Sequence, residues 1–267
     1  MNNISLFIVA ILLVFSVTPA TAQIGPDGTG TVNEYFIGPN VNLSGADLSG
    51  TNLSGADLSG ANLTEASLSS ATLSGANLTG IDLTEAKLDG TNLSNTNLTD
   101  ADLMNADLTG ANLEKVDLSA ADFSDATLTG ITSNNITGVP ANLPEEWQII
   151  KTSVANFIPD GWDPADFINR RLAGPGVDLS GVIFYQAALF GVNLSGADLS
   201  GASIGGTNFA GINLSNANLA NLNVSHTEGR TSTFSGANLS GADLTNATIG
   251  IDGWEKVTSF TNVNLSG

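Results

Sequence analysis

A large apolar residue stands at every fifth position from Leu43 to Leu128, eighteen times in succession, and only Phe123 departs from leucine. A period of five matches neither the 3.6 residues of a helical turn nor the two of a strand, so no amphipathic helix or flat sheet keeps this column on one side. The chain must follow a coiled path that turns once per pentad. In a pentad such as Ala46-Asp47-Leu48-Ser49-Gly50, an extended segment points Ala46 and Leu48 one way and Asp47 the other. Leu43, Leu48, Leu53, Leu58, Leu63, Leu68, Leu73 and Leu78 are therefore predicted to form a structural core, with Asp and Asn outside.

The flanking positions fit the same path. The residue two before each central position is Ala in twelve of eighteen pentads, and Val41, Thr51, Ile81, Thr91, Thr96 and Val116 fill the rest, which permits close backbone approach. Gly45, Gly50, Gly55 and Gly60 close their pentads where a type II turn requires positive φ. A second block keeps one register from Leu179 to Ile249 and adds Leu194, Leu199, Leu214 and Leu219 to the expected core. Only Gly229 breaks its apolar column, so Ser225 to Arg230 reads as a degenerate turn. Both blocks open on a Gly-Pro step, Gly38-Pro39 and Gly174-Pro175, an internal duplication of the entry signal.

Between the blocks, Ser133 to Ala173 abandons the repeat. It concentrates Trp147, Ile149, Ile150, Phe157, Trp162, Phe167 and Ile168 beside Lys151, Arg170 and Arg171. Because a stack of coils exposes an apolar, unpaired end, this segment is expected to act as a plug or cap. Asp163-Pro164 is expected to start a short N-capped helix within it, and Tyr35, Phe36 and Ile37 to cap the first block. The predicted divisions are a signal peptide at 1–22, a cap at 23–40, repeats at 41–132, the interruption at 133–176, repeats at 177–249 and a degenerate tail at 250–267. Val263 to Gly267 restarts the pentad where the sequence stops, which reads as a truncated array.

Ile4 to Val17 is an uncharged apolar run followed by Ala20-Thr21-Ala22, the small-x-small form of a signal-peptidase site. Cleavage after Ala22 would place the mature chain outside the cytoplasm, although Met1-Asn2-Asn3 lacks the usual basic residue and an uncleaved anchor is the alternative. With no cysteine, stability must come from packing rather than disulfides. The 26 acidic residues outnumber the 7 basic ones for a net charge of -19, which argues against direct nucleic-acid binding. At 42% hydrophobic and 12% charged residues, the chain is too apolar for a disordered acidic tail.

Tandem Ala-(Asp/Asn)-Leu-(Ser/Thr)-Gly units resemble the pentapeptide repeat family. The resemblance implies an all-β solenoid, a right-handed quadrilateral β-helix in two blocks in which four pentads make one coil. Residues twenty apart would then stack: Asn42, Asn62, Asp82, Asp102 and Asp122 in one column, Asp57, Asn77, Asn97 and Asp117 in another, and Asp178, Asp198, Asn218 and Asn238 in a third. Asn ladders would bond along the stack and adjacent Asp residues would repel.

Candidate chemistry is sparse. Asp82, Asp102 and Asp122 could bracket a divalent cation, but calcium takes six to eight oxygens and a flat column offers few, so a solvated acidic face is the simpler reading. His226, the only histidine, has no nucleophile or metal partner near it in sequence and reads as a loop side chain. No triad, phosphate loop or paired-carboxylate cleft is present, and neither enzymatic activity nor a cofactor is expected. Asn-x-Ser/Thr triplets at Asn42, Asn52, Asn62, Asn77, Asn193 and Asn213 arise from the repeat itself, though an exported chain could be glycosylated there. The expected function is an exported structural or interaction module, an acidic rod presenting side-chain ladders to a protein or surface polymer, with association of copies through solenoid ends as a further expectation. A hydroxyl-rich face contacting cations, ice or polysaccharide is one alternative. The family resemblance supplies another, since some members resemble duplex DNA and act on type II topoisomerases.

Overall fold

Each pentad places its backbone donors in a fixed way, and the coil follows from that accounting. Leu43 N–H donates to Asn62 O at 2.7 Å, Gly45 N–H to Thr64 O at 2.9 Å, and Ala46 N–H closes the turn onto Leu43 O at 3.0 Å. Asn62 N–H reaches back to Val41 O at 2.9 Å. Repeated along the chain, these bonds make parallel bridges between residues twenty apart, from Asn42↔Asn62 through Asp82↔Asp102 and Asp102↔Asp122 to Asp122↔Asn142. Twenty residues therefore make one coil of four pentads, and the path is a right-handed quadrilateral β-helix. Pentad-closing residues carry the predicted positive φ, 68° at Gly45 and 64° at Gly50. The computed structural model describes residues 23–153, 168–184, 187, 189–204, 207, 209–223 and 239. The predicted signal peptide, the short helix at Asp163, the turn around His226, Asn238 and the tail lie outside them.

The core is the predicted column. Leu43, Leu48, Leu53, Leu58, Leu63, Leu68, Leu73, Leu78, Leu194, Leu199, Leu214 and Leu219 are all buried, as are the alanines two places before most of them. In the second block Phe184 and Phe209 meet edge to face, their centroids 6.1 Å apart. Threonine in the small position satisfies its hydroxyl on a carbonyl: Thr96 Oγ1 donates to Leu93 O at 2.7 Å and Thr91 Oγ1 to Leu68 O at 2.8 Å. A buried hydroxyl is tolerated there because it is bonded.

Strands β1 (Gln23–Ile24), β2 (Gly30–Val32) and β3 (Tyr35–Ile37) form an antiparallel sheet at the start of the stack. Val32 and Ile37 extend the core, and Gly28 O accepts from Asp57 N–H at 2.8 Å, the bond a preceding coil would supply. Tyr35 and Phe36 remain exposed, so of the three residues expected to cap the block only Ile37 is buried.

The interruption differs from expectation. The ladder continues past residue 132, through Asp117↔Thr137 and Asp122↔Asn142, so the predicted boundary falls ten residues early. The chain then leaves as an antiparallel hairpin of β4 (Gln148–Ser153) and β5 (Ile168–Ala173), paired from Gln148↔Ala173 to Ser153↔Ile168. It re-enters the same stack: Gly130 N–H donates to Gly176 O at 2.7 Å, Gly176 N–H to Ser195 O at 2.8 Å, and Asp178 N–H to Ile131 O at 3.3 Å. The segment is thus an insertion within one hydrogen-bonded stack rather than a plug between two. Its strands bond to each other and also to the coil. Ile136 N–H donates to Arg170 O at 3.2 Å, Leu172 N–H to Ser133 Oγ at 2.9 Å, and Arg171 Nη1 to Ser133 O at 2.7 Å. Ile150, Leu172 and Ala173 are buried, and the Trp147 ring lies where a Cβ on Gly174 would stand.

Candidate interaction faces

Four of the five backbone N–H groups in a pentad are taken by the coil and its turn. The fifth, two residues after the Asp or Asn, is orphaned by the geometry and is bonded by that side chain. Ser44 N–H donates to Asn42 Oδ1 at 3.2 Å, Ser59 N–H to Asp57 Oδ1 at 3.1 Å, Met104 N–H to Asp102 Oδ1 at 3.0 Å, and Ala220 N–H to Asn218 Oδ1 at 3.1 Å. The bond forms whatever residue supplies the N–H, so Asp and Asn are needed as acceptors and not only as polar covering. Sequence reasoning had placed them outside without this role; the signal was an acceptor two residues before each turn donor.

The hydroxyls beside them are also engaged. Ser59 Oγ donates to Asp57 Oδ1 at 2.7 Å, Thr79 Oγ1 to Asn77 Oδ1 at 2.7 Å and Ser124 Oγ to Asp122 Oδ1 at 2.6 Å. A free hydroxyl array for ice or polysaccharide is not what these side chains form, because their donors are already spent within the pentad. Along the stack, amides relieve charge: Asn77 Nδ2 donates to Asp57 Oδ1 at 3.1 Å, Asn142 Nδ2 to Asp122 Oδ2 at 2.9 Å and Asn218 Nδ2 to Asp198 Oδ1 at 3.1 Å.

Asp82, Asp102 and Asp122 are brought into one column as predicted, yet they do not make a ligand set. Each spends Oδ1 on the N–H two residues on, from Thr84 at 3.0 Å, Met104 at 3.0 Å and Ser124 at 2.8 Å. Among the described residues no group of three His, Cys, Asp or Glu side chains is arranged to hold a metal ion. The Ser124 hydroxyl and N–H hold the Asp122 carboxyl below the usual carboxylate range, and those of Ser119 and Ser49 do the same for Asp117 and Asp47. At Asp82 partial burial works against ionisation, but bonds from Thr84 and Thr64 outweigh it and the pKa is lowered. Hydrogen bonds to the charged form are the common cause.

Charge is not shared equally among the four corners. The first corner, which includes Leu43 and its successors every twenty residues, displays Glu65, Asp82, Glu85, Asp102, Asp122 and Asp125, with no Lys or Arg. The second carries Asp47, Asp89 and Asp107 around Lys87, the third Glu114 beside Lys115, and the fourth Asp57, Asp100 and Asp117. After Gly45 the first corner has no glycine where the backbone favours it: Glu65, Glu85, Asn105 and Asp125 hold φ of 58°, 57°, 59° and 57°. Such backbone costs roughly 1–2 kcal/mol at a non-glycine residue and is found preferentially at functional positions. Met104, 37% exposed, stands on this corner where Ser44, Thr64, Thr84 and Ser124 stand in the neighbouring coils.

HetL, a pentapeptide repeat protein involved in heterocyst differentiation regulation from the cyanobacterium Nostoc sp. strain PCC 7120, is 24% identical over 85% of this chain and 87% of its own, with a TM-score of 0.35. Rfr23, a pentapeptide repeat protein from the cyanobacterium Cyanothece 51142, is 31% identical over 38% of this chain and 63% of its own, with a TM-score of 0.21. Full-length QnrB1, a plasmid-mediated fluoroquinolone resistance protein, is 16% identical over 79% of this chain and 92% of its own, with a TM-score of 0.33. No curated protein matches the chain. The family model described as pentapeptide repeats (8 copies) matches residues 42–80, 76–114, 101–132, 176–206, 197–228 and 207–249. These spans together cover more than half of the sequence, so the chain belongs to the pentapeptide repeat family.

Proposed function

We propose that the chain is an exported, non-enzymatic interaction module: a rigid acidic rod whose first corner meets another protein or a surface polymer. The observation that carries this reading is the asymmetry of charge, six carboxylates on one corner of the coils from Leu43 to Leu128, without a cation on that corner. Solenoids present extended faces of this kind to partners. Export rests on the apolar run from Ile4 to Val17 and on Ala20-Thr21-Ala22. The test is affinity capture from the extracytoplasmic fraction with the tagged mature chain and four variants, each with the Asp and Glu of one corner changed to Asn and Gln. A partner held by the wild type and lost by one corner variant is expected. Equal capture by all four would contradict the module reading, and N-terminal sequencing that finds Met1 on the native chain would contradict cleavage.

A second reading, interaction with a type II topoisomerase through likeness to duplex DNA, draws on the net charge of -19. Duplex DNA distributes charge along two strands around its axis, whereas one corner here carries six of the thirteen carboxylates of the coils from Leu43 to Leu128, which favours a one-sided partner. Unchanged supercoiling activity of a topoisomerase at micromolar chain is the expected result.

A further inference from the structure

Phe190 is 72% exposed, the most exposed of the large apolar side chains among the described residues. Its position is that of a turn hydroxyl, the place taken by Ser44, Thr64, Thr84 and Ser124; Met104 is the other large apolar residue exposed at that place on their corner, and Val139 holds it on the fourth. The two share a corner. Asp178 N–H bonds Ile131 O as Asn62 N–H bonds Val41 O, so Gly176, two residues before Asp178, succeeds Gly110 and Gly130 in one column, and Phe190 follows Gly176 by the same fourteen residues that separate Ser124 from Gly110. The turns between run in the usual way, Val182 N–H to Leu179 O at 3.2 Å and Val192 N–H to Leu189 O at 3.3 Å. Asn193 Nδ2 donates to Glu146 Oε2 at 2.6 Å, which ties this side of the second block to the end of the first.

Resting on the interaction-module reading, we propose that the first corner docks a cationic polypeptide segment, with Phe190 and Met104 as apolar anchors and the flanking carboxylates as its electrostatic track. An aromatic side chain held in water beside charge is the kind of residue that carries binding energy at interfaces. The partner's charge follows from the carboxylates of Asp82, Asp102, Asp122, Glu85 and Asp125, which surround Met104 and have no Lys or Arg on their corner among the described residues. A second copy of the chain would bring the same net charge of -19 against them, and a nucleic acid would be repelled likewise. Three coils separate the anchors, on the order of 14 Å at the usual strand spacing, a reach that about four or five extended residues span. Gly211 lies against the Phe190 ring and bears no side chain to cover it.

The test measures binding of the mature chain to two labelled peptides of equal charge, a nonapeptide of three Lys-Lys-Phe repeats and hexalysine, by fluorescence anisotropy at low salt. The wild type is expected to bind the phenylalanine-bearing peptide about tenfold more tightly, the size of effect one interface anchor produces. Phe190→Ser with Met104→Ser should erase that gap while hexalysine binding stays unchanged. Asp82→Asn with Asp102→Asn and Asp122→Asn, which keeps the turn acceptors, should weaken both peptides, and the same change at Asp57, Asp100 and Asp117 on the fourth corner should weaken neither. A gap that survives the serine pair, or equal weakening by the two charge variants, overturns the proposal. Phe190→Lys, whose far-UV spectrum should match the wild type, must also lose the gap. If the peptides fail while capture of the native partner depends on another corner, this proposal falls alone; if no corner matters to capture, the module reading falls with it.

Discussion

At the residue scale, the pentad is governed by two demands, an Oδ1 acceptor before the turn and a left-handed residue within it. Ala120 meets the second poorly, with φ of 56° and no side chain that compensates. Ala120→Gly is expected to raise stability by about 1 kcal/mol, read as a shift of the denaturation midpoint without change of slope. The first demand predicts a pH effect. The Ser124 hydroxyl and N–H depress the folded-state pKa of Asp122, so its stabilisation is complete above the unfolded carboxyl range near pH 4 and is lost as pH falls through the lower folded value. Asp122→Asn keeps the acceptor and removes the titration. Its midpoint should match the wild type at pH 7 and exceed it increasingly below pH 4; parallel curves down to pH 2 would contradict the linkage.

At the element scale, the leucine column was fully legible because a period of five leaves only a turning path. The hairpin was not. Gln148 to Ser153 and Ile168 to Ala173 carry no shared period with the repeats, and their aromatic neighbours Trp147 and Phe167 read as a cap until the backbone bonds from Gly176 and Asp178 showed the stack resuming. Residues 133–142 were also misassigned, since Ser133, Asn134 and Asn135 hide a coil that Ile136 and Asn142 still complete. Arg171 is the fastening of this insertion. Burial pushes its guanidinium below the ordinary arginine range, Glu114 and Asp178 oppose that, and it bonds Ser133 O at 2.7 Å. Arg171→Met should cost about 2 kcal/mol by leaving that carbonyl without its charged donor, and should speed hydrogen exchange at Leu172 and Ile136 before it affects the coils around Leu58. Arg171→Lys should recover only part, because a point charge lacks the planar fork.

At the scale of the whole molecule, stacked coils turn a one-dimensional sequence period into four separate surfaces, and the charge on each can be set without disturbing the core. Part of the functional face was legible for that reason: the column of Asp82, Asp102 and Asp122 could be assembled once four pentads were taken as a coil. Phe190 was not, because the insertion between Asn142 and Gly176 hides which corner it stands on until the register across the hairpin is known. That register is the basis of every surface described for this chain. Ser74 Oγ and Ser94 Oγ lie 3.0 Å apart across one coil, and the chain has no cysteine of its own. Neighbouring coils are about 4.8 Å apart, within disulfide range. The most direct measurement is therefore oxidation of the Ser74→Cys/Ser94→Cys protein, followed by mass spectrometry of the cross-linked peptides. The account predicts rapid, near-complete intramolecular cross-linking with native stability, and little in a Ser69→Cys/Ser74→Cys control whose cysteines sit on adjacent corners. Failure of the first pair to cross-link, or equal cross-linking of the control, would contradict a twenty-residue coil.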